Sequence, residues 1–231
     1  MIRPKAILFD FGGTLDADGL PWKERFHHLY RAEGVALDPE AFAPLFYAAD
    51  DRLVGDLARS AGLRATIDQL TANLDPLLPN GSAERRARVG RRFIEDAQAC
   101  LGRNRPILRA LRAQCPLGIV SNFYGNLEGV CRETGLDGLI DVAVDSTVVG
   151  ASKPEPRIFE AALRPLGVEA GACVFVGDSL HRDWVGAERL GMTFIWIEHP
   201  AMVKTGAARP RHSVPSLTRL PAILGLIDDA A

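Results

Sequence analysis

Five short apolar runs constrain the fold of this chain more than any other feature: 6–10 AILFD, 117–121 LGIVS, 139–145 LIDVAVD, 173–178 CVFVGD and 193–197 TFIWI. Runs of this length that do not alternate polar with apolar residues read as strands buried on both faces, as in a parallel sheet. Helical spacing lies between most of them. Leu127, Val130 and Thr134 share one face of 126–135, and Ile158, Ala162 and Leu166 share one face of 154–167. Strand–helix alternation of this kind predicts a doubly wound α/β, Rossmann-like domain.

Residues 20–100 break the alternation, because no strand run occurs there. Trp22, Phe26, Leu29 and Tyr30 lie on one helical face, and so do Phe42, Leu45, Phe46, Ala49 and Leu53. Ile67, Leu70, Leu74 and Leu77 form a third stripe, and Val89, Phe93 and Ala97 a fourth. Gly34–Pro39, Gly62 and Pro79–Gly81 separate them. The expected organisation is an α/β core of residues 1–19 and 101–231, with an all-helical cap of residues 20–100 inserted after the first strand.

Composition narrows the partners. Lys and Arg total 27 against 29 Asp and Glu, a net charge of -2, which gives no general attraction to nucleic acid or an anionic membrane. No apolar stretch approaches the ~20 residues that span a bilayer. The opening MIRPKAILFDFGG lacks a signal-peptide layout, and Cys100, Cys115, Cys131 and Cys173 form no CxxC pair. A reducing, cytoplasmic setting is expected. Oligomeric state is left open.

In an open parallel sheet, ligands bind beyond the carboxyl ends of the strands. The first run ends on Asp10, the second on Ser121 followed by Asn122, and the fourth on Gly177–Asp178–Ser179. Asp183 follows shortly after, and Lys153 precedes a helix beyond the third run. Carboxylates gathered there would repel one another without a cation between them. Asp10 and Asp178 are hard oxygen donors suited to Mg²⁺, an ion that also takes substrate phosphate oxygens. Lys153, Ser121 and Asn122 could then neutralise or hydrogen-bond a phosphate, and Asp10 could attack phosphorus. Gly12 and Gly13 let the backbone approach the ion and turn sharply after the strand.

Four stretches in chain order, DFGGTLD, VSN, SKPEPRIF and VGDSLHRDWVGAERLGM, resemble the four motifs of the haloacid dehalogenase superfamily. The tail HSVPSLTRLPAIL is similar to that family's last strand and closing helix, and the insert resembles the helical cap of its phosphatase and dehalogenase branch. The resemblance implies a Mg²⁺-dependent hydrolase of small phosphorylated molecules. It implies Asp10 as nucleophile, Thr14 and Ser121 as phosphate-side donors and Lys153 as charge neutraliser. It also places Gly13 at the phosphate, and Asp10, the Gly12 carbonyl, Asp178 and Asp183 at the metal.

One position departs from the pattern. Most phosphatases of the family read DxDGT, and the second aspartate moves the proton; this chain has Gly12 there. Proton-transfer assistance of that kind is worth roughly 10²–10⁴-fold. Asp16, Asp18 and His181 are the candidates to replace it, although Asp16 also suits a turn-holding role. The alternatives are a 2-haloacid dehalogenase, which in this family usually lacks the acid at position 178, and a catalytically weak protein that binds a phosphorylated ligand or a partner. Arg85, Arg88, Arg91 and Arg92 form a stripe that reads as a solvated helix face.

Overall fold

A computed structural model describes residues 2–202 and 208–225. Residues 203–207 and 226–231, parts of the expected core segment, lie outside the described residues, as does Met1.

Six parallel strands form one sheet in the order β3-β2-β1-β4-β5-β6. They are β1 (Ala6–Phe9), β2 (Leu117–Ser121), β3 (Val142–Asp145), β4 (Cys173–Gly177), β5 (Thr193–Ile197) and β6 (His212–Val214). The strand order reverses direction beside β1, which lies between β2 and β4. Each of the five apolar runs holds one strand, although the third strand starts at Val142 rather than Leu139. There the Asp141 carboxylate accepts the Leu117 N–H and pairs with Arg112, so residues 139–141 lead into the strand.

Alternate side chains serve the two faces of the sheet. Ile7, Phe9, Leu117, Ile119, Val174 and Val176 point to one hydrophobic cluster, and Ala6, Leu8, Val120, Phe175 and Trp196 to another. Helix α1 (Trp22–Ala32), α2 (Pro39–Asp50), α3 (Leu63–Leu74) and α4 (Ala83–Arg112) form the inserted cap and its return to the sheet. Then come α5 (Leu127–Thr134), α6 (Ser146–Val149), α7 (Pro156–Leu166), α8 (Val185–Arg189) and α9 (Leu220–Ile223). The breaks follow the expected glycines and prolines. α1 ends before Gly34, α2 starts at Pro39, and α3 begins after Gly62. The expected boundary at residues 100–101 falls within α4, which runs unbroken for 30 residues.

The first cluster is continuous from the sheet into the cap. It joins Ile7 and Phe9 through Phe11 and Leu15 to Trp22, Phe26, Phe42 and Phe93. Each large apolar side chain buried there contributes about 1.5–3 kcal/mol. The cap is therefore held against the core by packing as well as by its two covalent connections.

Candidate active site

The reversal of strand order at β1 brings three strand ends together. Asp10 directly follows β1, Ser121 closes β2, and Asp178 directly follows β4. Lys153 enters from the loop between α6 and α7, with its backbone gripped by Asn122: its N–H donates to Asn122 Oδ1 (2.8 Å), and its carbonyl accepts from Asn122 Nδ2 (3.3 Å).

Around Asp10 the donors converge on one oxygen. Asp10 Oδ1 accepts from the Phe11 N–H (2.7 Å) and Ser121 Oγ (2.8 Å), and pairs with Lys153 Nζ (2.8 Å). Oδ2 has no hydrogen-bond partner among the described residues. The carboxylate is thus fixed in rotation by one oxygen, with the other left able to react. Lys153 Nζ also meets Asp183 Oδ1 at 2.7 Å, and Asp183 Oδ2 accepts the Ser179 N–H at 3.0 Å. Asp183 sits in a single π-helical turn, Leu180–Trp184, that folds its side chain back towards β4. Such turns frequently occur at functional sites.

Two glycines make room for the acids. A Cβ on Gly13 would lie 2.6 Å from Asp178 Oδ2, and Gly13 has φ +91°. A Cβ on Gly177 would lie 2.3 Å from Asp183 Oδ2. Gly13 was expected to turn the chain sharply and to lie at the phosphate, not to make room for an acid; Gly177 was missed, although its position directly before a strand-end aspartate is a usable signal.

Asp10, Asp178 and Asp183 each offer an oxygen within 4.8 Å of the others. Burial, then the charges of Asp10 and Asp183, pushes the Asp178 carboxyl well above the usual carboxylate range. Burial also lifts Asp183, to about 6, against the pull of Lys153. For Lys153, burial alone would lower the pKa, but Asp10 and Asp183 outweigh it and raise it. If all three acids ionise, the one ammonium leaves two of their charges unbalanced in a buried pocket. A divalent cation fits that deficit and that all-oxygen donor set.

Several residues expected at the phosphate have other partners in the structure. The Thr14 hydroxyl, expected at the phosphate, is fully buried and donates to Asp178 Oδ1 at 2.9 Å, so it orients that acid. Both ends of the Asn122 amide hold Lys153. The Gly13 N–H, also expected at the phosphate, donates to Asp16 Oδ1 at 2.7 Å. Asp16 is buried and accepts in addition from Trp22 Nε1 and Arg25 (both 2.7 Å), which makes it a clamp between the β1 loop and α1. Asp18 pairs with Arg103, outside the cavity. His181 does line the cavity and is exposed. In the arginine stripe, Arg85 is buried against Asp75 instead of solvated, and Arg88 pairs with Glu33.

A cavity of ≈ 680 Å³ opens between this cluster and the cap. Its cap side carries residues that sequence reasoning had assigned to packing or passed over. The indole of Trp22 covers Gly12: a Cβ there would lie 3.2 Å from Nε1. Asp50, the last residue of α2, accepts a hydrogen bond from the Tyr124 hydroxyl of the core. Burial pushes the Asp50 carboxyl up to about 6. An acid at a helix C-terminus opposes the helix dipole, and that was the available signal.

Comparisons with known proteins agree with this fold. The family profile for haloacid dehalogenase-like hydrolases matches residues 4–191. Haloacid dehalogenase-like hydrolase domain-containing protein 3 from Homo sapiens is 29% identical over 96% of this chain and 94% of its own length. The Bos taurus protein of that name is 32% identical, over 50% of this chain and 47% of its own; for this and similar relatives the match spans about half their length. Among solved structures, a HAD phosphatase from Thermococcus onnurineus superposes with a TM-score of 0.54 at 28% identity, covering 96% of this chain and 98% of that one. A dehalogenase with an intermediate complex superposes at 0.64 with 22% identity, over 97% and 98%, which establishes a shared fold.

Proposed function

The chain belongs to the haloacid dehalogenase-like hydrolases, and from that premise we propose that it hydrolyses small phosphorylated molecules with Mg²⁺, through phosphoryl transfer to Asp10. The observation that carries this reading is the pair of buried acids beside Asp10. Asp178 and Asp183 share the pocket with a single ammonium, and their uncompensated charge suits a divalent ion. A dehalogenase has no use for such a deficit. Gly12 favours that second reading, because the proton-moving aspartate is missing, but Gly12 leaves the acid pair unexplained.

Asp10, Asp178 and the Gly12 carbonyl would hold the ion, which lines up the phosphate and offsets its charge. Asp183, with one oxygen on the Ser179 N–H and the other on Lys153, would support the ion directly or through water while it holds Lys153. Lys153 and Ser121 fix Asp10 Oδ1. Asp10 Oδ2 attacks phosphorus, the ester oxygen leaves, and the aspartyl phosphate is then opened by water. The leaving oxygen takes its proton from the cleft, where His181 is the imidazole lining the cavity. Without an aspartate at position 12, poor leaving groups are expected to react slowly.

Phosphate release from a phosphomonoester panel, with and without Mg²⁺, and halide release from 2-chloropropionate test this together. Mg²⁺-dependent phosphate release is expected, falling at least about 10³-fold in Asp10→Asn. Metal-independent halide release without phosphate turnover would replace the phosphatase reading with the dehalogenase one.

A further inference from the structure

We propose that the cap side of the cleft is a subsite for a flat conjugated ring on the substrate, seated against Tyr47, with Asp50 accepting a hydrogen bond from a donor on the ring's edge. This deepens the hydrolase reading above by naming the class of leaving group, and it rests on that reading.

Three observations carry it. First, Tyr47 is 43% exposed, one of three large apolar side chains so exposed among the described residues, and it lines the cavity. The Lys23 ammonium stands 5.7 Å from its ring, and Trp22 and Tyr124, whose rings are 6.4 Å apart, line the same space. Aromatic walls around an opening favour an aromatic guest, because offset or edge contacts between rings add to plain burial. Second, the cavity, ≈ 680 Å³, is far larger than a phosphoryl group needs and falls in the range of sites that enclose a drug-sized molecule.

Third, Asp50 is an anion held where the fold does not favour one. It ends α2 beside Asp51, and faces Tyr124 and Arg182 of the core. Tyr124 serves one of its oxygens, and the other has no hydrogen-bond partner among the described residues while the side chain lines the cavity. Burial makes the charged form unfavourable. A donor on a bound ring, such as a hydroxyl or a ring N–H, would relieve that penalty. An apolar chain would not.

Phosphonates test this without turnover, since they bind like phosphates but do not hydrolyse. Calorimetric titrations with Mg²⁺ would compare benzylphosphonate with butylphosphonate. Wild type should favour the ring by about fivefold to tenfold, and Tyr47→Ala and Tyr47→Leu should both bring the ratio near one. A 4-hydroxyl on the benzyl ring should tighten binding by about fivefold, and Asp50→Ala should remove that increment alone; melting curves confirm that each variant folds. Equal affinity for ring and chain, an unchanged ratio in the Tyr47 variants, or no binding of either phosphonate overturns the proposal. The hydrolase reading fails separately. Ring-selective binding with no phosphate released from any ester keeps the subsite and removes the activity, whereas turnover of alkyl phosphates without ring preference does the reverse.

Discussion

On the core side of the cleft, Asp10, Asp178 and Asp183 hang from strand ends and the turns that follow them and Lys153 from the loop between α6 and α7, and every one has a charged or hydrogen-bonding partner within 3.0 Å. On the cap side, Trp22, Tyr47 and Asp50 hang from helices that pack by apolar stripes, and they face the cleft with rings, the Tyr124 hydroxyl on Asp50 and open space, while the Trp22 indole N–H is held by Asp16. The core side has little freedom, since moving one group leaves a buried charge unpaired. The cap side can change its residues without disturbing the charge balance around Asp10. On the proposed reading, chemistry is fixed on one wall of the cleft, and the choice of what enters is made on the other.

Lys153→Met probes the rigid side. It would leave Asp10 and Asp183 as buried carboxylates with no ammonium between them. A loss of about 3–5 kcal/mol is expected from breaking a buried pair on one side, read by denaturant unfolding at pH 7 without metal. Added Mg²⁺ should recover part of it. A variant as stable as wild type would mean that the acids are not charged together.

The two adjacent glycines set the comparison at its sharpest, because one faces each wall. Gly13→Ala would press a methyl group into Asp178, 2.6 Å away, at a φ that disfavours any side chain. Mg²⁺ affinity should fall at least about tenfold, with stability lower by about 1–3 kcal/mol. Gly12→Ala meets only the indole of Trp22, at 3.2 Å, and should change either quantity by less than about 1 kcal/mol. Equal effects at both positions would erase the distinction between the walls.

Asp50 carries the comparison into pH. Its carboxyl is raised from 3.8 to about 6 in the folded chain. The folded state therefore binds the proton more tightly than the unfolded one. The stability linked to that proton is complete below the unfolded value and is lost as pH rises through the folded one. Asp50→Asn keeps an acceptor for Tyr124 and carries no charge. It should be more stable than wild type by roughly 1–3 kcal/mol at pH 8 and equal to it near pH 4. A constant difference across that range would show that Asp50 does not titrate against folding.

What could be read from the sequence follows the same division. Parallel strands announce themselves in short solid apolar runs, and ligands collect at their carboxyl ends, so Asp10, Ser121, Lys153, Asp178 and Asp183 could be named and are found together. Finer roles were less legible. Thr14 and Asn122 are polar residues in the right turns, but which partner a hydroxyl or amide chooses depends on groups distant in sequence: 164 residues separate Thr14 from Asp178. The cap side was least legible. Trp22 looked like one more apolar position on α1, because helical periodicity says which face is buried and not what it covers. Asp50 and Tyr124 lie 74 positions apart and share no local pattern.

Trp22 also decides the last and smallest prediction. Restoring the proton-moving group by Gly12→Asp would, from sequence alone, be expected to raise turnover by roughly 10²–10⁴-fold. In the folded chain the side chain would leave the backbone towards the Trp22 indole, 3.2 Å from its first carbon. The indole is held in turn by Asp16 through Nε1 and by edge contacts with Phe93 and Phe123. The single variant should therefore gain no more than about tenfold on an alkyl phosphate and less on an aryl phosphate, whose leaving oxygen needs little protonation. Adding Trp22→Phe narrows the obstructing ring and leaves Arg25 to hold Asp16, so the double variant should exceed the single one by several-fold on the alkyl ester. If the single variant already gives the full gain, the cap does not restrain the chemistry at position 12. If neither gains, the proton already has another route, and His181→Gln in the wild-type background should then lower alkyl turnover while sparing aryl turnover.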